Sequence, residues 1–230
     1  MTLTCAFVFA RGGSKGLPKK NILPIGGLPM LAHGIKMARQ LKQVDHVYIS
    51  TDCEQIAEIG RLYGAEVIQR PSYLASDSAP EWQAWQHAVS YVTKKIGPFD
   101  RFLSLPATAP LRSSDDVLRC LNALQDGVDM VITMSPSTRS PWFNMVVADD
   151  SQKISLISGD GSLIRRQDAQ KCFDMTTVAY VARPDFIINS SSLWDGTVVG
   201  VEVPRKRAID IDDEFDYAVA RFLMEDYDES

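Results

Sequence analysis

The sequence has no excess of positive charge, no long apolar run and no cluster of cysteine or histidine, and each absence removes a class of function. Lys and Arg number 24 against 29 Asp and Glu, a formal net charge of −5. A general nucleic-acid binder would carry a basic footprint on the scale of the domain, so nucleic acid is excluded as a partner. No stretch approaches the roughly 18–20 apolar residues that cross a bilayer, so no membrane partner is expected. The opening run Met1-Thr2-Leu3-Thr4-Cys5-Ala6-Phe7-Val8-Phe9-Ala10 lacks a basic leader and passes straight into Arg11-Gly12-Gly13, which predicts no secretory signal. Cys5, Cys53, Cys120 and Cys172 form no C-x-x-C pair and read as small apolar residues of a reducing cytoplasm. His33, His46 and His87 make no H-E-x-x-H pattern. What is present, 45% hydrophobic and 23% charged residues, is the composition of an ordinary soluble globular protein. A length of 230 residues allows one large domain or two small ones.

Short aliphatic runs alternate with stretches of helical period, the pattern of a largely parallel α/β sheet. Strands are predicted at Cys5–Ala10, His46–Ser50, Glu66–Gln69, Arg101–Leu105, Met130–Met134, Thr177–Ala182 and Val198–Val203. Between them Leu31, Ile35, Ala38 and Leu41 repeat on one helical face, as do Trp85, Val89, Val92 and Ile96, and Val117, Leu121 and Leu124. Glu54–Tyr63 reads as a helix ended by Gly64, and Ser113 or Ser114 as an N-cap. A last helix carries Phe215, Val219, Phe222 and Leu223. From residue 137 to 173 the rhythm breaks. Trp142–Val147 and Lys153–Ile157 there suggest a hairpin or arm laid over the main sheet. With no internal repeat or low-complexity linker, the economical reading is a single domain over residues 1–230, a doubly wound, mostly parallel sheet with an inserted β arm.

Ala10-Arg11-Gly12-Gly13-Ser14-Lys15-Gly16-Leu17-Pro18-Lys19-Lys20-Asn21-Ile22 follows the first strand directly. In such a sheet ligands bind at the carboxyl ends of strands, where this loop must lie. Glycines let backbone N–H groups close around phosphate oxygens, and four cations from Arg11 to Lys20 offset a polyanion. The combination suits a nucleoside triphosphate better than a solvated basic turn. It is neither G-x-x-x-x-G-K-[ST] nor the dinucleotide G-x-G-x-x-G, which disfavours an oxidoreductase. Near the other end, Asp210 and Asp212 lie two apart on an expected strand edge and so share a face, with Ile209 and Ile211 opposite. Two convergent carboxylates suit Mg²⁺. A solvent-facing acidic pair, or Asp212 and Asp213 capping the last helix, fits the spacing equally well.

The first loop resembles the signature of the CMP-sugar synthetases, the acylneuraminate cytidylyltransferase family, related to the octulosonate cytidylyltransferases. Ser50-Thr51-Asp52, Tyr63-Gly64-Ala65-Glu66-Val67, Arg70-Pro71, Leu74-Ala75-Ser76-Asp77, Pro110-Leu111-Arg112 and Ile209-Asp210-Ile211-Asp212 follow in the family's order, so the likeness spans about residues 5 to 216. The resemblance implies a Rossmann-like nucleotidyltransferase fold. Arg11, Ser14, Lys15 and Lys20 would hold the triphosphate, Asn21 and Arg70 would help bind cytidine, and Ala79 would lie against the base. Asp210 and Asp212 would hold Mg²⁺, with Arg11 and Lys20 as electrostatic stabilisers. Without it, Arg70 reads as a surface ion pair and Asp77 as an N-cap.

The implied reaction is attack by the anomeric hydroxyl of a 2-keto-3-deoxy sugar acid on the α-phosphorus of CTP, giving CMP-sugar and pyrophosphate. Such products feed lipopolysaccharide or capsule synthesis. The resemblance also implies a homodimer in which the arm, residues 137–173, reaches across the partner. Two departures fall on the sugar side. Sialic acid-activating members read Q-P-T-S-P-L-R where this chain has Leu105-Pro106-Ala107-Thr108-Ala109-Pro110-Leu111-Arg112, and an R-P-N-G-A-I-Y-like segment where it has Asp174-Met175-Thr176-Thr177-Val178-Ala179-Tyr180. The acceptor is therefore expected to be a different nonulosonate or octulosonate, with Thr176 and Thr177 as candidate contacts. The alternatives are a nucleotidyltransferase using another NTP and a sugar 1-phosphate, or an inactive nucleotide-binding module, against which the retained Asp210 and Asp212 argue. Pro204-Arg205-Lys206-Arg207 reads as a solvated turn, or as added positive potential near the nucleotide. Trp82 and Trp85 read as core.

Overall fold

The computed structural model describes residues 2–13 and 16–228. Its seven-stranded sheet includes β1 (Thr4–Phe9), whose Cys5, Ala6, Phe7 and Val8 are all fully buried. A strand buried on both faces reads as a continuous apolar run, and this one has a neighbouring strand on either side. The small antiparallel pair β2 (Pro24–Ile25) and β3 (Leu28–Pro29) leads into α1 (Met30–Gln40). Then come β4 (His46–Thr51), α2 (Glu54–Leu62), β5 (Glu66–Gln69), α3 (Glu81–Ile96), β6 (Arg101–Ser104), α4 (Ser114–Ala123) and β7 (Met130–Pro136). The chain closes with the hairpin β8 (Val146–Ala148) and β9 (Ile154–Leu156), β10 (Phe173–Ala182), α5 (Pro184–Asn189), β11 (Val198–Glu202) and α6 (Glu214–Asp228).

The sheet order is β11-β7-β10-β6-β1-β4-β5. Every pairing is parallel except those of β10, which runs antiparallel between β6 and β7. The expected mostly parallel α/β sheet is therefore present. Alternation along β1 sends Ala6 and Val8 to one face, against α1, α2 and α4, and Cys5 and Phe7 to the other, against α3 and α5. Trp85 packs there with Phe102 and Tyr180, and Trp82 meets Phe186 edge-on, so both tryptophans serve the core. Burial pushes the Cys5 and Cys120 thiols up to about 12, as fits small apolar residues. Among the described residues no helix is long and apolar enough to cross a membrane.

Three local expectations are corrected. Asp210 and Asp212 lie not on a strand but in the irregular segment between a one-turn 3-10 helix at Arg205–Arg207 and α6. On α6 the packed residues are Tyr217, Ala220, Leu223 and Met224, while Phe215 and Phe222 are exposed. Arg207 is no solvated turn residue: it makes two bonds to the buried Asp116.

Chain order reverses across β1, with β4 and β5 on one side and β6 on the other. The crevice at the carboxyl ends of β1 and β6 is thus the topological switch point. A third small core of Leu17, Ile25, Met30, Leu111, Ile211 and Ala220 gathers the loops at this end. Helix α2 sits close on β4, and a Cβ at Gly60 would lie 2.5 Å from Ile49 Cγ2. Gly60→Ala is expected to cost about 1–3 kcal/mol by overpacking, read as a lower urea midpoint at unchanged slope; an unchanged midpoint would show that α2 is free to move off the sheet.

Candidate active site

A cavity of about 490 Å³ opens at the switch point, and its wall includes Arg11, Lys20, Asn21, Arg70, Ala79 and Asp212. These come from three separate stretches of chain, after β1, after β5 and before α6. Ser14 and Lys15 lie outside the described residues. Gly12 donates its N–H to Asp52 Oδ1 at 2.9 Å, which fixes the start of the loop after β1. The loop's far end rests on the opposite segment: a Cβ at Gly16 would sit 2.4 Å from the Asp212 carbonyl oxygen, so only glycine allows this approach. Lys19 turns the chain through φ 54 and does not line this cavity, whereas Lys20 does.

Each cavity cation has a different anchor. Arg11 Nη1 lies 2.7 Å from Asp77 Oδ1 and Lys20 Nζ 2.7 Å from Asp212 Oδ1. Asp77 is therefore an ion-pair partner and not an N-cap; Pro80 holds the cap position of α3. Partly exposed pairs of this kind contribute about 0–1 kcal/mol each, so a polyphosphate can displace either carboxylate at little cost. Arg70 differs. The surface ion pair expected from its sequence context is absent, because the side chain is buried, donating to the Ser50 hydroxyl and carbonyl and lying 5.6 Å from the Phe9 ring centre. Burial lowers its pKa, against the opposing pull of Asp52 and Glu81. Asn21 donates its amide N–H to the Arg11 carbonyl at 3.1 Å and so braces the same loop.

Asp210 and Asp212 are held apart from the helix behind them. Asp213 takes the capping role by accepting the Asp216 N–H, and Asp216 accepts the N–H of both Asp212 and Asp213. Asp210 Oδ1 is buried without a hydrogen-bond partner. Burial pushes its carboxyl above the usual range and Asp212 pushes it further, against Thr108, Lys20 and Thr177. No group of three or more His, Cys, Asp or Glu side chains placed to hold a metal exists among the described residues. Any cation here would rest on these two carboxylates and on oxygens of a ligand.

The two threonines separate. Thr176 is committed to Thr133, hydroxyl to hydroxyl at 2.8 Å inside the sheet, and is withdrawn as a ligand contact. Thr177 Oγ1 is buried and unpartnered, within electrostatic reach of Asp210. Arg207 does not line the cavity; its guanidinium is paired with Asp116. Sequence reasoning missed Glu81, a wall residue whose carboxyl is raised by loss of solvent and accepts from Trp85 Nε1. Its place at the start of α3 makes it look like an ordinary dipole-compensating acid. Arg112, quoted only as part of a motif, is a buried cation whose Nη2 donates to the Pro106 carbonyl while Nε and Nη1 have no partner.

The family model described as cytidylyltransferase matches residues 5–140. A Campylobacter coli protein, post-translational flagellin modification protein B, is 35% identical over 95% of this chain and 94% of its own length. A Campylobacter jejuni protein, CMP-N,N'-diacetyllegionaminic acid synthase, is 33% identical over 94% of this chain and 93% of its own. The solved structure of CMP:2-keto-3-deoxy-manno-octonic acid synthetase complexed with CTP superposes with a TM-score of 0.72 at 19% identity, covering 98% of this chain and all of that one. At that identity the likeness establishes the fold, a Rossmann-like α/β sheet.

Arg70→Met removes both bonds to Ser50. It is expected to cost about 1–3 kcal/mol, because the buried Ser50 hydroxyl loses its partner while the Ser50 carbonyl keeps the Ala10 N–H, and to weaken nucleoside triphosphate binding about tenfold. Denaturation and calorimetric titration read the two effects separately. Lost stability with unchanged affinity would make Arg70 a purely structural cation.

Proposed function

Because the chain belongs to the cytidylyltransferase family, we propose that it activates a 2-keto-3-deoxy sugar acid of the nonulosonate class with CTP, releasing pyrophosphate and CMP-sugar. The supporting observation is the cavity in which Arg11, Lys20 and Arg70 converge opposite Asp212. In this reading Arg11, Lys20, Ser14 and Lys15 hold the triphosphate, and Asn21, Arg70 and Ala79 form the cytidine side. The anomeric hydroxyl oxygen of the sugar acid bonds to the α-phosphorus as the bond to the bridging oxygen breaks, and the hydroxyl proton is lost to water. Negative charge moves onto the leaving pyrophosphate. Lys20 and Arg11, released from Asp212 and Asp77 by the incoming phosphates, stabilise that charge from fixed positions.

The donor set fits Mg²⁺. Two hard carboxylates, one with a buried oxygen that lacks any partner, sit beside the phosphate-binding cations. Asp210 and Asp212 would hold the ion, which when bound polarises phosphate oxygens and offsets their charge. Among sugar acids, the nonulosonates are favoured over octulosonates by the 33% identical relative named for N,N'-diacetyllegionaminic acid. Thr177 then lies on the acceptor side. The arm supports a homodimer. Val146, Val147, Ile154 and Ile157 on the β8–β9 hairpin are exposed, which is an apolar surface of the kind that marks an interaction site. Four free cysteines accord with the cytoplasm, where such activated sugars are made for surface glycans or glycosylated proteins.

Pyrophosphate release should be seen with CTP and an N-acylated nonulosonate, and not with ATP, GTP or UTP. Equal rates with all four nucleotides, or no turnover with any keto-deoxy acid, would sink this reading. Asp212→Ala is expected to lower kcat about a hundredfold or more with the circular dichroism spectrum unchanged; near-normal turnover at saturating Mg²⁺ would remove Asp212 from the ion. Val147→Asp should convert the dimer to a monomer in sedimentation, whereas a wild-type monomer at micromolar concentration would leave the arm without its role.

A further inference from the structure

Asp210 is in neither strand nor helix, so no regular ladder of backbone bonds sets its place. Two anchors flank it. One residue downstream, Ile211 is fully buried and donates its N–H to the Thr108 carbonyl at 2.9 Å. Three residues upstream, Arg207 grips Asp116 as a fork, Nε to Oδ2 at 2.7 Å and Nη2 to Oδ1 at 2.9 Å. Asp116 has no exposed surface and also accepts from the Ser113 N–H, the Ser113 hydroxyl and Arg119 Nη2. It is the third residue of α4 and closes the helix's capping box with Ser113, so the helix start itself holds the carboxylate that Arg207 binds. The downstream anchor leads to the same spot. Thr108 belongs to the turn whose Pro106 carbonyl accepts from Arg112, the residue just before the Ser113 cap.

We propose that Asp116 and Arg207 are positioning residues for the divalent-cation site, fixing the chain from 207 to 210 so that the Asp210 carboxylate faces the ligand beside Asp212. The inference rests on Asp210 and Asp212 being that site. An unanchored carboxylate would have to be ordered on binding, at a cost in affinity for each cation bound. Groups behind metal ligands commonly govern affinity by about 10–100-fold. The Asp116–Arg207 pair joins residues 91 apart in the chain, which only the fold brings together.

The test uses Mn²⁺ as the probe, titrated by electron paramagnetic resonance into protein saturated with CTP in the absence of sugar. Arg207→Gln leaves Asp116 with Ser113 and Arg119 and is the first variant; Arg207→Lys, which keeps the charge but not the fork, carries the same criterion if the first does not fold. Arg207→Gln should weaken Mn²⁺ binding about 10–100-fold and lower kcat by a similar factor, with KM for CTP nearly unchanged and Arg207→Lys intermediate. Asp210→Asn is the reference. If Asp210→Asn loses Mn²⁺ and the Arg207 variants do not, the positioning role is overturned. If Asp210→Asn itself binds Mn²⁺ normally, the cation site is misplaced and the inference falls with it.

Discussion

The geometry of the cavity turns on one apolar residue, Ile211. Its side chain has no exposed surface, it belongs to the third core with Leu17, Leu111 and Ala220, and its N–H reaches the Thr108 carbonyl. Leu17 comes from the loop after β1, Leu111 from the loop after β6, and Ala220 from α6. Burying these four against one another draws together three of the segments around the cavity, and the wall from Arg70 to Ala84 completes it from the other side. With Ile211 held there, its neighbour Asp212 meets Lys20 of the basic loop at 2.7 Å, and Asp210 lies within the fields of both Asp212 and Lys20. The hydrophobic effect is non-directional, yet here it fixes where two carboxylates lie.

Around that core the charges are arranged by depth. The shallower pairs, Arg11 with Asp77 and Lys20 with Asp212, each leave the carboxylate partner open to solvent. The deep ones, Arg70 on Ser50 and Asp116 in its ring of donors, are fixed by several bonds each. A buried charge left without its partners is costly to the fold, so the deep groups keep one arrangement, whereas losing a solvent-open carboxylate partner costs the shallow ones little. The net charge of −5 conceals this separation entirely.

The main sheet was legible in the sequence because it rests on local signals. Ser113 caps α4 as expected, Glu66–Gln69 is the strand predicted, and the alternation in β1 is visible by eye. Helix α5, at six residues, is too short to show a period, and it was missed. The first half of β10 was missed because Phe173, Asp174 and Met175 are all exposed; they are in a strand through pairing with β7, not through burial. On α6 the large Phe215 and Phe222 outweighed Ala220 in a reading by size, but it is Ala220 that is fully buried against the loops, with Tyr217, Leu223 and Met224 beside it. In the site, the cationic loop and the two aspartates stood out by composition. Arg70 did not, because its burial is made by Phe9 and Ser50 on other strands, and the Asp116–Arg207 pair leaves no trace in either local context.

Strand β10 carries one further consequence. Its register with β7 shifts between Thr176 and Tyr180, so Thr177, Val178 and Ala179 escape the one-to-one pairing that constrains the rest of the sheet. Val178 and Ala179 are fully buried, so of the three only Thr177 can change without repacking the core. A substitution there alters the surroundings of Asp210, while β1, β4 and β5 lie two to four strands away. The bulge thus leaves one position of the sheet open to change beside a buried carboxylate, at a distance from the strands that carry the basic loop and Arg70.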